Sequence, residues 1–326
     1  MHLHPAIAAL RDDDAPQRQA QAALFAAAGA WRDRPEVAAI LVALESFGGG
    51  TALAELPRLA ALFAPRDAAA LQFASGFVGE LGRALSSQPL GHLPWRHFTD
   101  GTVSTLQLGR SGRATLTLTA LDGAGLARRP TPVSVAFAAG ECRELVIAGG
   151  ATAELISGEP CGSNAVKLRR EPLALEPGTV VTRNAARQAL LVDAAPGCLV
   201  SLRLHRRPVV PEPTREYRLS DGALVHQAAG DPRQSRHELM LALLGRMGRS
   251  EAAPLLAEIA GDEASPGAVR WHALRECLGL DTGAGFAALT SVARTASDPL
   301  AAAAGALRVQ LVETYPQLAS VAECPA

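Results

Sequence analysis

The spacing of apolar residues changes twice along this chain, and that change constrains the fold more than any single motif. Between about 14 and 86, the segments "APQRQAQAALFAAAGA", "PEVAAILVALESF", "TALAELPRLAALF" and "PRDAAALQFASGFVGELGRAL" repeat their apolar positions every three or four residues. Pro, Gly and Asp punctuate them, which predicts four helices in a small bundle. The glycine-rich "FGGGT" at 47–51 has no lysine and no preceding strand, so it reads as a helix connector rather than a phosphate loop. From about 102 to 204 the period falls to two. "TVSTLQL-GRSG-RATLTLTAL" predicts a hairpin with Leu106, Leu108, Leu116 and Leu118 on one face. In "GCLVSLRLHRR" Cys198, Val200, Leu202 and Leu204 share a face, and Ser201, Arg203 and His205 share the other. Six to eight such strands in a hundred residues imply an antiparallel sandwich or barrel. From Ser235 the helical spacing returns.

At 326 residues the chain is long for one core. A hydrophobic content of 48% and a charged content of 19% are those of a globular protein rather than a disordered one. The formal net charge of −1 gives no global attraction to nucleic acid or to an anionic membrane, and neither is expected as a partner. Lys167 is the only lysine, so the arginines reflect codon bias of a GC-rich, bacterial-type genome as much as function. Five cysteines, Cys142, Cys161, Cys198, Cys277 and Cys324, lack C-x-x-C spacing, which fits a reducing cytoplasm. The first residues, "MHLHPAIAALRDDDAP", carry no signal-peptide pattern, and no later run reaches membrane-spanning length. The expected location is cytoplasmic.

The stretch "FAAGECRELVIAGGATAEL" at 137–155 and the later "LEPGTVVTRNAARQALLV" resemble the two motifs of the cupin family. In that family two histidines one residue apart, a glutamate, a glycine turn and a later histidine hold a metal. Glu144 matches the glutamate, Gly149 or Gly150 the turn, and Pro177 and Gly178 the second turn. Phe137, Ala138, Ala139 and Gly140 stand where the paired histidines would be, and Arg187 or Gln188 where the last would be. A transition metal needs three or four converging ligands, and this motif retains one. The resemblance therefore implies a barrel without metal. Downstream, "ALLGRMGRSEAAPLLAEIA" from Ala242, "ALRECLGLDTGAGFAALTSVA" from Ala273 and "ALRVQL" from Ala306 recur at a little over thirty residues, and resemble short HEAT-like repeats. The expected class is a multidomain α and β chain: an N-terminal helical bundle (1–90), an antiparallel cupin-like jelly-roll barrel (91–215), a linker (216–234) and a C-terminal HEAT-like α-solenoid (235–326).

Two classes of function follow. In the first, a non-catalytic binding or regulatory protein, a metal-free pocket takes a small anionic ligand or peptide on Arg143, Glu144, Arg183 and Arg187. Guanidinium forks fix carboxylate or phosphate. The helical repeats then meet a protein partner, and no cofactor is expected. The alternative is a cupin-type oxygenase or isomerase with iron or another divalent transition metal on His92, His97, Glu144 and His205. No H-E-x-x-H or G-x-S-x-G motif is present. His2 and His4 form a terminal H-x-H, His237 and His272 read as helix-surface residues, and Cys161 as a loop thiol with no assignable base. Nucleic-acid binding through the doublets Arg128-Arg129, Arg169-Arg170 and Arg206-Arg207 finds few aromatic residues to stack bases.

Overall fold

The computed structural model describes residues 7, 10, 12–65, 68–162 and 164–323, with side chains to 320. His2, His4 and Cys324 lie outside them. The chain divides into two compact units, residues 1–227 and 228–326.

In the first unit, helices α1 (Ala15–Arg32), α2 (Pro35–Gly49), α3 (Pro57–Ala61) and α4 (Ala69–Ser87) precede the strands. Proline in the first turn of α1, α2 and α3 starts each helix where a backbone N–H has no partner to lose. Of the "FGGGT" segment, residues 47–49 form the last turn of α2, and Gly50 at φ 126 and Thr51 lead out of it. Gly48 is required there, because a Cβ would come within 2.2 Å of the Ser111 carbonyl oxygen.

Among the described residues twelve strands follow, with a single turn of helix, α5 (Gly123–Ala127), after β3. They are β1 (His97–Thr99), β2 (Val103–Ser111), β3 (Ala114–Asp122), β4 (Ser134–Phe137), β5 (Glu141–Ala148), β6 (Ala151–Pro160), β7 (Val166–Leu175), β8 (Val180–Asn184), β9 (Gln188–Ala194), β10 (Cys198–Arg206), β11 (Thr214–Arg218) and β12 (Leu224–Ala228). They form a six-stranded sheet of order β1-β2-β3-β10-β5-β8 and two three-stranded sheets, β7-β6-β9 and β12-β11-β4. Every neighbouring pair in the first two sheets, and β4 with β11 in the third, runs antiparallel. The β5–β6 turn rests on Gly149 at φ 79, where a side chain would meet the Cys198 carbonyl at 2.0 Å. The linker expected at 216–234 is instead occupied by the end of β11, by β12 and by the start of a helix.

Leu106, Leu108, Leu116, Leu118, Leu202 and Leu204 share one core with Trp31, Leu44, Phe47, Phe73, Phe77 and Trp95. The apolar face of the large sheet is thus covered by the N-terminal helices, which do not form a separate bundle. Trp31 is fully buried and meets Phe77 edge-on at 5.1 Å. A second core joins Val146, Val181 and Leu199 to Ala151, Ala153 and Leu175, and a third gathers Phe137, Ile156, Val166 and Tyr217.

The second unit contains α6 (Pro232–Arg246), α7 (Ala253–Gly261), α8 (Gly267–Leu280), α9 (Thr282–Arg294), α10 (Ala301–Thr314) and a final 3-10 segment, Pro316–Glu323. The Asp231 carboxylate caps α6 by accepting the Arg233 N–H, and Asp281 caps α9 through Ala284. Its own core holds Leu256, Leu274, Cys277, Phe286 and Leu289. Arg270 is 3% exposed and donates to both Asp298 oxygens and to the Ala260 carbonyl. None of the described helices is long and apolar enough to cross a membrane.

Candidate functional site

Strand alternation decides which side chains meet. Thr119 of β3 lies opposite Ser201 of β10, and Arg203 opposite Glu144 of β5. These residues occupy the face of the large sheet that the helices do not cover. Glu144 is 6% exposed and carries four hydrogen bonds. Its Oε1 accepts from Ser201 Oγ at 2.8 Å and Arg203 Nη2 at 3.1 Å, and its Oε2 from Arg183 Nη2 at 2.9 Å and Arg203 Nε at 3.1 Å. Burial pushes its carboxyl up, but the charges of Arg203 and Arg183 and the donated hydrogen bonds outweigh that and hold it below the usual carboxylate range. The remaining Arg183 contact is Nη2 to Cys142 Sγ at 3.4 Å. His205 lies beside this group. Burial first, then the charges of Arg203, Arg183 and Arg207, hold its imidazole below the usual value, against a hydrogen bond to Ala139.

Two openings adjoin the cluster. One is a cleft of about 560 Å³ lined by Glu144, Ser201, Arg203 and Thr119 with apolar walls from Leu121, Leu190 and Leu199. Arg129 stands at its edge, ion-paired to Asp100, whose carboxyl is lowered to about 2 by the Val103 and Thr102 N–H groups and by Arg129. The other is a basin of about 720 Å³, lined by Arg113, Arg183, Arg187, Arg206 and Arg207 against Glu141 and Glu212. Arg206 is spent on structure. It pairs with Glu141, donates to the Phe47 and Thr51 carbonyls at 2.9 and 2.8 Å, and lies 4.0 Å from the Phe47 ring centroid, closing the C-terminus of α2. Arg187 and Arg207 make no side-chain hydrogen bond or ion pair among the described residues, and Arg183 keeps Nε and Nη1 free.

Of the four ligand residues named from sequence, Arg183 and Arg187 line the basin, while Glu144 lies behind Arg183 and opens to the cleft. Arg143 is separated from them, on the other face of β5 with Leu145, which belongs to the helix-covered core. Arg203, Ser201, Thr119, Arg113 and Arg207 join the site. Ser201 and Arg203 shared a face in the sequence pattern, but nothing in that pattern turned the face inward.

The alternative metal set is not assembled. His92 is exposed and tied to α1 by paired backbone hydrogen bonds with the Gln21 amide, and His97 is exposed on edge strand β1, whereas Glu144 and His205 belong to β5 and β10. Among the described residues, no three His, Cys, Asp or Glu side chains converge to hold an ion. Cys161 is exposed in a loop, and His272 pairs with Glu276 on α8 at 3.2 Å. One member of each basic doublet is engaged: Arg129 with Asp100, Arg170 with Glu154, Arg206 with Glu141.

No family model matches the chain, and no curated protein matches it. Solved structures give partial, distant matches. A 7S globulin from Momordica charantia is 15% identical over 39% of this chain and 36% of its own, with a TM-score of 0.27. A cupin superfamily protein from Desulfitobacterium hafniense is 15% identical over 34% and 83%, TM-score 0.24. KdgF from Halomonas sp. is 15% identical over 35% and 88%, TM-score 0.25. The chain therefore spans about a third of the globulin's length. Matches of this strength say nothing about activity.

Proposed function

We propose that this chain is a non-catalytic binding protein whose first unit holds a small anion, phosphate or carboxylate, in the arginine basin. The observation that carries this reading is Arg183. Glu144 fixes its guanidinium from behind at 2.9 Å and leaves Nε and Nη1 unused, beside Arg187 and Arg207, which make no ion pair among the described residues. A guanidinium held in place by a buried carboxylate loses little freedom on taking up an anion, and charge-assisted donors are the strong ones. Glu144 serves as the anchor, since its lone pairs are already occupied.

Titration calorimetry of the intact chain with inorganic phosphate tests the proposal. Saturable binding should weaken with salt, and replacing both Arg187 and Arg207 by Ala should weaken it about a hundred-fold, at about 1.5 kcal/mol per charged hydrogen bond. Phosphate binding of equal strength in that variant would refute the basin.

The second part of the proposal gives the C-terminal unit, as HEAT-like helices, a protein partner. Its support is an apolar stripe on α6: Leu239, Met240, Leu243 and Met247 are 69%, 55%, 55% and 58% exposed and fall within about a third of the helix circumference.

A further inference from the structure

The cleft on the other side of Glu144 has a different chemistry from the basin. Glu144 is one anion shared by two guanidinium groups, so the buried cluster carries an excess positive charge. Part of that excess lies on Arg203, whose side chain remains 37% exposed where it lines the cleft. Its Nε and one Nη2 hydrogen are aimed at Glu144, and Nη1 has no partner among the described residues. One step along the sheet lies Thr119, 8% exposed, with a buried Oγ1 that finds no hydrogen-bond partner among the described residues. An unpaired hydroxyl at that depth is costly, and a charged group with unused donors beside it is a request for an acceptor. Val103, Leu121, Leu190, Val192 and Leu199 form an apolar wall, and Arg129, paired with Asp100, stands at the rim with Pro130 and Pro132. Asp193 lies at the same cleft, exposed, and its carboxyl is held above the usual value by burial and by Glu154, with Arg170 opposing.

We propose that this cleft is a second ligand site, for a small monocarboxylate with an apolar body, whose carboxylate accepts from Arg203 Nη1 and Thr119 Oγ1. The cross-strand register makes the bridge feasible. Thr119 faces Ser201, so Arg203, two residues along β10, is its diagonal neighbour on the same face. The hydrocarbon lies along the leucine and valine wall, and the volume suits a small molecule. A second carboxylate would lose its hydration against the leucine and valine wall, which selects against dicarboxylates.

Octanoate is the probe, titrated calorimetrically into the intact chain alongside octan-1-ol and octanedioate. We expect one octanoate per chain, with octan-1-ol and octanedioate each about ten-fold weaker or more. Thr119→Val keeps the shape and removes the hydroxyl, so it should weaken octanoate about five-fold while leaving the melting temperature unchanged or higher. Leu190→Trp fills the cleft and should abolish octanoate binding. Octan-1-ol binding as tightly as octanoate, no octanoate heat, or equal octanoate affinity in folded Thr119→Val would each overturn the assignment. This readout is independent of the basin: Thr119 and Leu190 do not line it, and phosphate binding there can succeed or fail without changing the octanoate result.

Discussion

At the scale of single residues, Glu144 has the most to lose. It is the one anion shared by two arginines, and it accepts from Ser201 while buried in the sheet. Replacing it with Gln leaves Arg183 and Arg203 facing each other without an anion, at a cost of about 3–5 kcal/mol. Its titration predicts a pH dependence. The carboxyl has an ordinary value of 4.5 and lies lower in the folded chain, so below that value the unfolded chain takes up the proton first. Stability from this group is complete above about pH 5 and is lost as pH falls through the folded value. Urea titrations at pH 7 and pH 3 should therefore show Glu144→Gln strongly destabilised at pH 7 and closer to the parent at pH 3. An equal deficit at both would exclude this carboxylate as the acid-sensitive group. The sequence singled out Glu144 only because it stands where the cupin motif it resembles has its glutamate, and assigned it a metal or ligand role. Its two guanidinium partners come from β8 and β10, 39 and 59 residues away in sequence, where pattern reading has no reach.

At the scale of elements, the period-two pattern gave the strands and the two faces of each. It did not decide which face would be inside. Leu202 and Leu204 were legible as an apolar face, and Ser201, Arg203 and His205 as the opposite one. The leucines pack against α2 and α4 and the polar row faces the other sheets, because the N-terminal helices cover the apolar side. A sheet with a helical layer on one side and strands on the other has no solvated face to mark its polar residues. Helix α6 presents the reverse case. Only Leu241 on it is buried, and Leu239, Met240 and Leu243 stay exposed, which the repeat-like pattern at 235–315 did not foresee. A photo-crosslinking residue in place of Met240 should yield a covalent adduct with a second protein in cells, and the same residue in place of exposed Glu258 on α7 should not. Recovery of unmodified chain alone from both would remove the partner from the proposal.

For the whole molecule, each unit has a hydrophobic core of its own. The cores of residues 1–227 contain no residue of the last helices, and the core around Leu256, Leu274 and Phe286 contains no residue of the first unit. Units that share no core with each other unfold as separate cooperative units. Scanning calorimetry should show two transitions, with phosphate raising only the one that carries the β-sheet signal, since the basin lies wholly in the first unit. One transition that moves as a whole with phosphate would contradict this division. The sequence by itself determined the order of helical, β and helical segments, because hydrophobic period is a local property set by backbone geometry. Only the tertiary structure decided that the first helices belong to the β unit, that 216–234 is strand and helix, and that Glu144 joins Arg183 to Arg203. Those facts depend on strands far apart in the chain becoming neighbours, and on which layer covers which face, and neither is written in local spacing.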